Sequence, residues 1–297
     1  QPQAEAGVRR ADQPRSDGLA MERLVELQTP RGDLIRFGGS APLALIAGPC
    51  VIESEAHVQF LAREILSIAG PFVFKASFDK ANRWSGRSWR GPGIKEGLRI
   101  LSGVRRDAGV AVLTDIHETW QAETAAEAVD ILQVPAFLCR QTDLLTAAGR
   151  TGRIVNIKKG QFVAPHDIHL AAEKVAATGN DKVLLTERGS CFGYHNLVVD
   201  MRSLPVMRGA GWPVVFDATH SVQLPGGAGS ASGGQPQFIE PLARAAVAIG
   251  VAALFVEVHD DPPRALSDGA NALPLDRLGE LLLRLRAIDR LVKTSGW

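Results

Sequence analysis

Ionisable and metal-ligating side chains recur where the apolar runs of this sequence end. They are Cys50; Lys75, followed by Lys80, Asn82 and Arg83; Asp115 with His117; Gln133; Lys158 with Lys159; Arg188; Asp217 with His220; and Glu257 with His259. Core packing does not select ionisable groups at such regular positions, whereas a ligand site does. Lys75, Lys80, Lys158 and Arg188 suit phosphate and carboxylate groups, arginine through paired hydrogen bonds and lysine as a point charge. Acids at the same strand ends are too few to neutralise these cations, so a cationic rim is expected. Cys50, His220, Glu257 and Asp268 form a second set. A thiol, an imidazole and two carboxylates are a fitting shell for Zn²⁺, Fe²⁺ or another late divalent ion. The competing reading is structural: ion pairs around the rim, and a cysteine acting as a small buried hydrophobe.

Elements that could bring these residues together follow from the alternation of short apolar runs with longer amphipathic stretches, the pattern of βαβ units. Candidate strands are Leu43–Gly48, Phe72–Ser77, Val110–Ile116, Asp130–Ala136, Ile154–Lys159, Lys182–Arg188, Pro213–His220 and Ala253–His259. Candidate helices are Glu55–Ala69, Gly93–Asp107, Trp120–Ala128, Asp143–Ala148, Asp167–Ala177, Leu197–Arg208, Phe238–Ile249 and Leu275–Leu291. Eight pairs predict a (β/α)₈ TIM barrel over residues 41–297, a single domain. An open doubly wound sheet is the rival, but Gly48-Pro49-Cys50 stands where a Gly-rich dinucleotide turn would be expected. In a closed barrel the eighth strand lies between the seventh and the first, which would gather Cys50, His220, Glu257 and Asp268. Residues 19–40 read as a hairpin, Val25–Gln28 and Leu34–Phe37, able to plug the barrel floor. Residues 1–18, rich in Pro, Gln, Arg and Asp, read as a disordered tail.

The 297 residues carry 33 Lys+Arg against 32 Asp+Glu. A net charge of +1 argues against nucleic acid or an anionic membrane as the main partner. No apolar run approaches the roughly 18–20 residues of a membrane span. Cys50, Cys139 and Cys191, an odd and scattered set, suit a reducing cytoplasm. No G-x-S-x-G motif follows a strand, and the Gly-rich segment from Gly226 to Gly234 lacks the G-K-[ST] ending of a P-loop. That segment follows His220 and reads either as a closing loop or as a solvated linker.

Several strings resemble those of the 3-deoxy-D-manno-octulosonate 8-phosphate synthases. They are Ala47-Gly48-Pro49-Cys50, the run from Phe74 to Arg83, the run from Pro135 to Asp143, and Asn156-Ile157-Lys158-Lys159-Gly160-Gln161-Phe162. Thr186-Glu187-Arg188-Gly189, Phe192-Gly193-Tyr194 and the run from Asp217 to Gly226 complete the series, unbroken from Leu43 to the C-terminus. The resemblance implies condensation of phosphoenolpyruvate with arabinose 5-phosphate in a (β/α)₈ barrel, usually a homotetramer, that supplies the Kdo sugar of lipopolysaccharide. It assigns phosphoenolpyruvate to Lys75, Lys80, Lys158 and Arg188, with Gln133 and the Ala136 backbone nearby. Arabinose 5-phosphate would meet Asn82 and Arg83, and Arg140 and Gln141 from a neighbouring subunit. Cys50, where one branch of the family has Asn, implies the metal-dependent branch, with His220, Glu257 and Asp268 as the other ligands of a Zn²⁺, Fe²⁺, Mn²⁺ or Co²⁺ ion. Catalytic roles fall to Lys75, Lys80, Asp115, His117, Lys158 and His220, the Asp115–His117 pair serving proton transfer, sugar contact or structure. This chain departs from the family at Trp84-Ser85-Gly86-Arg87-Ser88, where Ser-Ser-Ile-His-Ser is typical. The loss of that first serine bears on the aldose half of the reaction. Two other readings are a DAHP synthase-like condensation with erythrose 4-phosphate or another aldose phosphate, and a catalytically silent sugar-phosphate binder.

Overall fold

The computed structural model describes residues 22–83, 89–226 and 233–295. The tail at 1–18, Trp84, Arg87 and most of the Gly-rich segment lie outside the described residues. Eight parallel strands close a ring: β3 (Ala44–Gly48), β4 (Val73–Lys75), β5 (Ala111–Asp115), β6 (Ile131–Val134), β7 (Ile154–Lys158), β8 (Val183–Glu187), β9 (Val214–Asp217) and β10 (Ala253–His259). Each pairs with its neighbour in sequence, and β10 returns to β3 with Phe255 opposite Ile46 and Glu257 opposite Gly48. Around the ring lie α1 (Glu55–Ala69), α2 (Ile94–Asp107), α3 (Gln121–Ala128), α4 (Thr142–Arg150), α5 (His169–Ala176), α6 (Ser203–Gly209), α7 (Ile239–Ala248) and α8 (Leu275–Thr294). The fold is a single-domain (β/α)₈ TIM barrel.

All eight strands are buried along their whole length, because helices cover the outside and side chains fill the lumen. Outward residues such as Leu45, Phe74, Val112, Leu132, Val155 and Leu185 pack on the helices. Inward residues form a separate apolar cluster: Ile46, Val73, Leu113, Ile131, Ile154, Leu184, Val215 and Phe255. Two strands that precede the ring, β1 (Val25–Gln28) and β2 (Leu34–Phe37), pair antiparallel, and their Val25, Ile35 and Phe37 join this inner cluster. The hairpin thus seals the lumen from the strands' N-terminal side. At Gly48, φ is 151° and an added Cβ would stand 2.1 Å from the Lys75 carbonyl oxygen, so β3 and β4 approach too closely there for any side chain. The ends of the barrel sequence also meet, the Leu43 amide donating to Asp289 Oδ2 of α8 at 2.8 Å across 246 positions.

One expected helix is corrected. Leu197–Arg208 divides into a two-residue strand, Leu197–Val198, paired antiparallel with Ser190–Cys191, and α6, which begins at Ser203. Pro205 accounts for this: a helix starting at Leu197 would carry it in the interior, whereas α6 holds it in the first turn, where no intrahelical N–H is required. The strand expected over Pro213–His220 ends at Asp217, whose Oδ1 accepts from the amides of Thr219 and His220 and folds the chain into a turn. Among the described residues no helix is long and apolar enough to cross a membrane.

Candidate active site

Two residues beyond each inward apolar side chain, several strands present a polar one: Lys75 after Val73, Asp115 after Leu113, Gln133 after Ile131, Asp217 after Val215, and Glu257 after Phe255. β7 runs Ile154, Asn156, Lys158. Strand pleat alone therefore raises a buried polar layer above an apolar one at the C-terminal end of the barrel.

The three lysines here are paired, which corrects the expectation of an unneutralised rim. Lys75 Nζ donates to Glu257 Oε1 at 2.8 Å and to the Cys50 carbonyl at 2.7 Å. Lys80 Nζ lies 2.9 Å from Asp268 Oδ2, and Lys158 is paired with Asp217. The carboxylates assigned to a metal on sequence grounds thus also serve as lysine counter-ions. Burial alone would draw Lys75 and Lys80 down, but Glu257 and Asp268 hold both ammonium groups above the usual lysine value. Lys158 goes the other way: burial outweighs Asp217 and lowers it, while its Nζ sits 3.6 Å over the ring of Phe255. Arg188 keeps unused capacity. The residue is 4% exposed, Nη2 donates to Gln223 Oε1 at 3.1 Å, and Nε and Nη1 are buried without a partner.

The soft and imidazole ligands converge as the closed ring requires. Cys50 Sγ donates to Asp268 Oδ2 at 3.3 Å, and ligand atoms of Cys50, Glu257 and Asp268 lie within 4.8 Å of one another. His220 Nε2 is 3.7 Å from Glu257 Oε1 and 4.0 Å from Asp268 Oδ2. His220 Nδ1 donates to Asp217 Oδ2 at 2.7 Å, which leaves the Nε2 lone pair facing the cluster. That is the carboxylate–histidine arrangement that orients metal-ligating imidazoles. Glu257 Oε2 is buried without a partner, and Asp268 takes the left-handed conformation at φ 50°. Burial, with Asp268 and Glu257 close by, pushes the Cys50 thiol up to about 12, a direction that a divalent cation among these groups would reverse. The donor set therefore fits a divalent ion.

Asp115 receives hydrogen bonds from Ser77 and Gln133. Burial acts to raise it, but Lys75 and His117 together with those two bonds bring it down to about 2. The network continues from Asn156 Nδ2 to Gln133 Oε1 at 2.8 Å and from Thr186 Oγ1 to Asn156 Oδ1 at 2.6 Å. Gln133 is thus engaged at both ends of its amide. His117 lies edge-on to Phe78, with centroids 5.9 Å apart, and its Nδ1 is buried without a partner. Ala136 opens a single 3₁₀ turn, and Asn82, Arg140 and Gln141 are exposed. Arg83 grips the loop before Asp268, donating to Ser267 Oγ and the Leu266 carbonyl, each at 2.8 Å. Ser267, also 3.1 Å from Cys50 Sγ, is a site residue the sequence reading missed, as are Ser77, Asn156, Thr186 and Phe255. Asn156 and Thr186 had a signal, as polar residues at inward positions of buried strands. Ser267 had none, because its partners are 184 and 217 positions away.

Residues 23–294 match the model of the DAHP synthetase I family. The chain belongs to that family. Its curated relatives include the 2-dehydro-3-deoxyphosphooctonate aldolases of Syntrophotalea carbinolica, 63% identical over 87% of this chain and 95% of the relative, and of Geobacter metallireducens, 58% identical over 87% and 97%. The Geobacter sulfurreducens aldolase is likewise 58% identical over 87% and 97%. Their shared name denotes the 3-deoxy-D-manno-octulosonate 8-phosphate synthase reaction, so the relatives and the motif resemblance agree. For a DAHP synthetase I family member, the buried lysine–carboxylate pairs and the Cys50 cluster occupy the end of the barrel where such folds place their chemistry.

Proposed function

We propose that this chain is a transferase that condenses phosphoenolpyruvate with D-arabinose 5-phosphate and water, giving 3-deoxy-D-manno-octulosonate 8-phosphate and inorganic phosphate. The geometric observation that carries the reading is Arg188, a buried guanidinium with two unpartnered N–H groups in a lumen that also holds Lys158. Orphaned buried donors are costly unless an anion meets them, and phosphoenolpyruvate brings a carboxylate and a phosphate. The identity to named aldolases over nearly their whole length supports the same substrate.

As C3 of phosphoenolpyruvate bonds to the aldehyde carbon, charge builds on the aldehyde oxygen and positive character at C2. Water then adds at C2, and phosphate leaves by C–O cleavage. Arg188 and Lys158 hold the anionic groups, and the excluded, preorganised lumen makes those contacts strong. Lys75 and His117 keep Asp115 ionised, and the Ser77, Gln133, Asn156 and Thr186 network holds its carboxylate in place. Asp217 sets the His220 tautomer. Cys50, His220, Glu257 and Asp268 would hold a Zn²⁺, Fe²⁺, Mn²⁺ or Co²⁺ ion, which when bound polarises a carbonyl or lowers the pKa of water. In this reading Asn82 and Arg83 meet the aldose phosphate, Arg83 giving up its bonds to Ser267 and Leu266 to do so, and Arg140 and Gln141, both exposed, reach a neighbouring subunit in a cytoplasmic homotetramer.

The test is phosphate release from phosphoenolpyruvate by metal-loaded protein offered arabinose 5-phosphate, erythrose 4-phosphate or no aldose. Release is expected with arabinose 5-phosphate and not with the others. Equal turnover of erythrose 4-phosphate, or no release with any aldose, overturns the reading.

A further inference from the structure

Lys159 ends an apolar strand, is wholly buried, and has no part in the chemistry proposed above. Strand pleat sets it back to back with its neighbour. Lys158 enters the lumen with Asn156, so Lys159 faces outward with Val155 and Ile157, between strands and helices. On β8 the same alternation sends Arg188 into the lumen with Leu184 and Thr186, and Glu187 outward with Leu185. A lysine and a glutamate therefore stand behind the wall whose inner face carries Lys158 and Arg188.

Oxygens from two loops surround the Lys159 ammonium. In the loop after β7, Nζ donates to the Gly160 and Val163 carbonyls at 3.3 and 3.2 Å. In the loop after β8 it donates to Ser190 Oγ at 3.1 Å and the Gly189 carbonyl at 3.5 Å, and it lies 3.6 Å from Glu187 Oε1. That carboxylate oxygen accepts in turn from the amides of Arg188 at 2.9 Å and Gly189 at 2.5 Å. The backbone at Arg188 is thus tied through one carboxylate to one ammonium. Arg188's own side chain is held only by Gln223 among the described residues, so its aim depends on the backbone that carries it. Burial draws Lys159 below the usual lysine value while Glu187 pulls the other way, a cost that a buried apolar side chain would not carry. We infer that Lys159, through Glu187 and the two loops it clamps, is a positioning residue that aims the Arg188 guanidinium at the anionic substrate. That this anion is phosphoenolpyruvate rests on the function proposed above.

The test is a double-mutant cycle on phosphoenolpyruvate binding, read by titration calorimetry without aldose, in the wild type, Lys159→Met, Arg188→Gln and the two combined. Near-ultraviolet circular dichroism confirms that each is folded. Where Lys159→Met does not fold, Lys159→Met with Glu187→Gln, which strands no charge, takes its place. Lys159→Met should weaken binding about 10- to 100-fold, the worth of charge-assisted hydrogen bonds that Arg188 no longer makes. In the Arg188→Gln background the same change should cost almost nothing, because there is no guanidinium left to aim. A merely structural lysine would weaken binding equally in both backgrounds, and that additivity overturns the proposal, as does unchanged affinity in folded Lys159→Met. A wild type that does not bind phosphoenolpyruvate removes the substrate reading itself, and this inference with it.

Discussion

The lower and upper halves of the barrel lumen are built by the same strands, often two residues apart, and they obey opposite rules. Below, Phe37, Ile46, Val73, Leu113, Ile131, Ile154, Leu184, Val215 and Phe255 fill the space with hydrocarbon. Above, Lys75, Asp115, Gln133, Lys158, Asp217 and Glu257 fill it with charges and amides that are buried too. The floor gains free energy from each group removed from water. The mouth spends much of its Coulomb energy offsetting desolvation, and its pairs hold geometry more than they hold the fold. A barrel can therefore place costly chemistry one pleat above the layer that stabilises it.

Substitutions in each layer should show this division. The largest effect is expected from Lys158→Met, which removes the ammonium over Phe255. Phosphate release should fall by about 10³-fold or more, since preorganised charge contacts of this kind carry most of the rate. Thermal unfolding should change far less, because His220 and the Thr219 and His220 amides still satisfy Asp217. Phe37→Ala should do the reverse. Its cavity at the barrel floor should cost about 3–5 kcal/mol in urea unfolding and leave kcat of the folded fraction unchanged.

The third substitution, Asp115→Asn, tests whether any mouth residue contributes net stability. Asp115 is held at about 2 against an ordinary 3.8, so the folded state favours its charged form. A depressed carboxylate stabilises above its unfolded value, and that contribution disappears as pH falls through the folded one. The wild type should then lose ~2 kcal/mol between about pH 4 and pH 2 from this group. Asp115→Asn should be less stable by a similar amount at pH 7 and converge on the wild type near pH 2. Parallel urea curves for the two proteins at pH 7 and pH 2.5, with an unchanged gap, would count against the assignment.

Much of the barrel was legible because buried parallel strands leave a strong mark, as Leu43–Gly48 and Ala253–His259 show. The hairpin was readable from the Pro30-Arg31-Gly32-Asp33 turn between two short apolar runs. Site membership was readable where the strand ends carried charge. Who partners whom was not, since pairing is a matter of tertiary distance. Lys75 and Glu257 are 182 positions apart, and His57 and Asp260 are 203. Nothing local in either segment names the other. The misjudged helix at Leu197–Arg208 is a different kind of miss, because Pro205 was in plain view and marked where the helix had to start.

The bond from the Leu43 amide to Asp289 has a consequence for how the protein comes into being. β3 is among the first barrel segments to leave the ribosome, and its partners β10 and α8 are the last. The ring cannot shut until both have followed. Until β10 emerges, β3 exposes an open sheet edge, so the nascent protein depends on its surroundings to keep that edge from pairing with another chain.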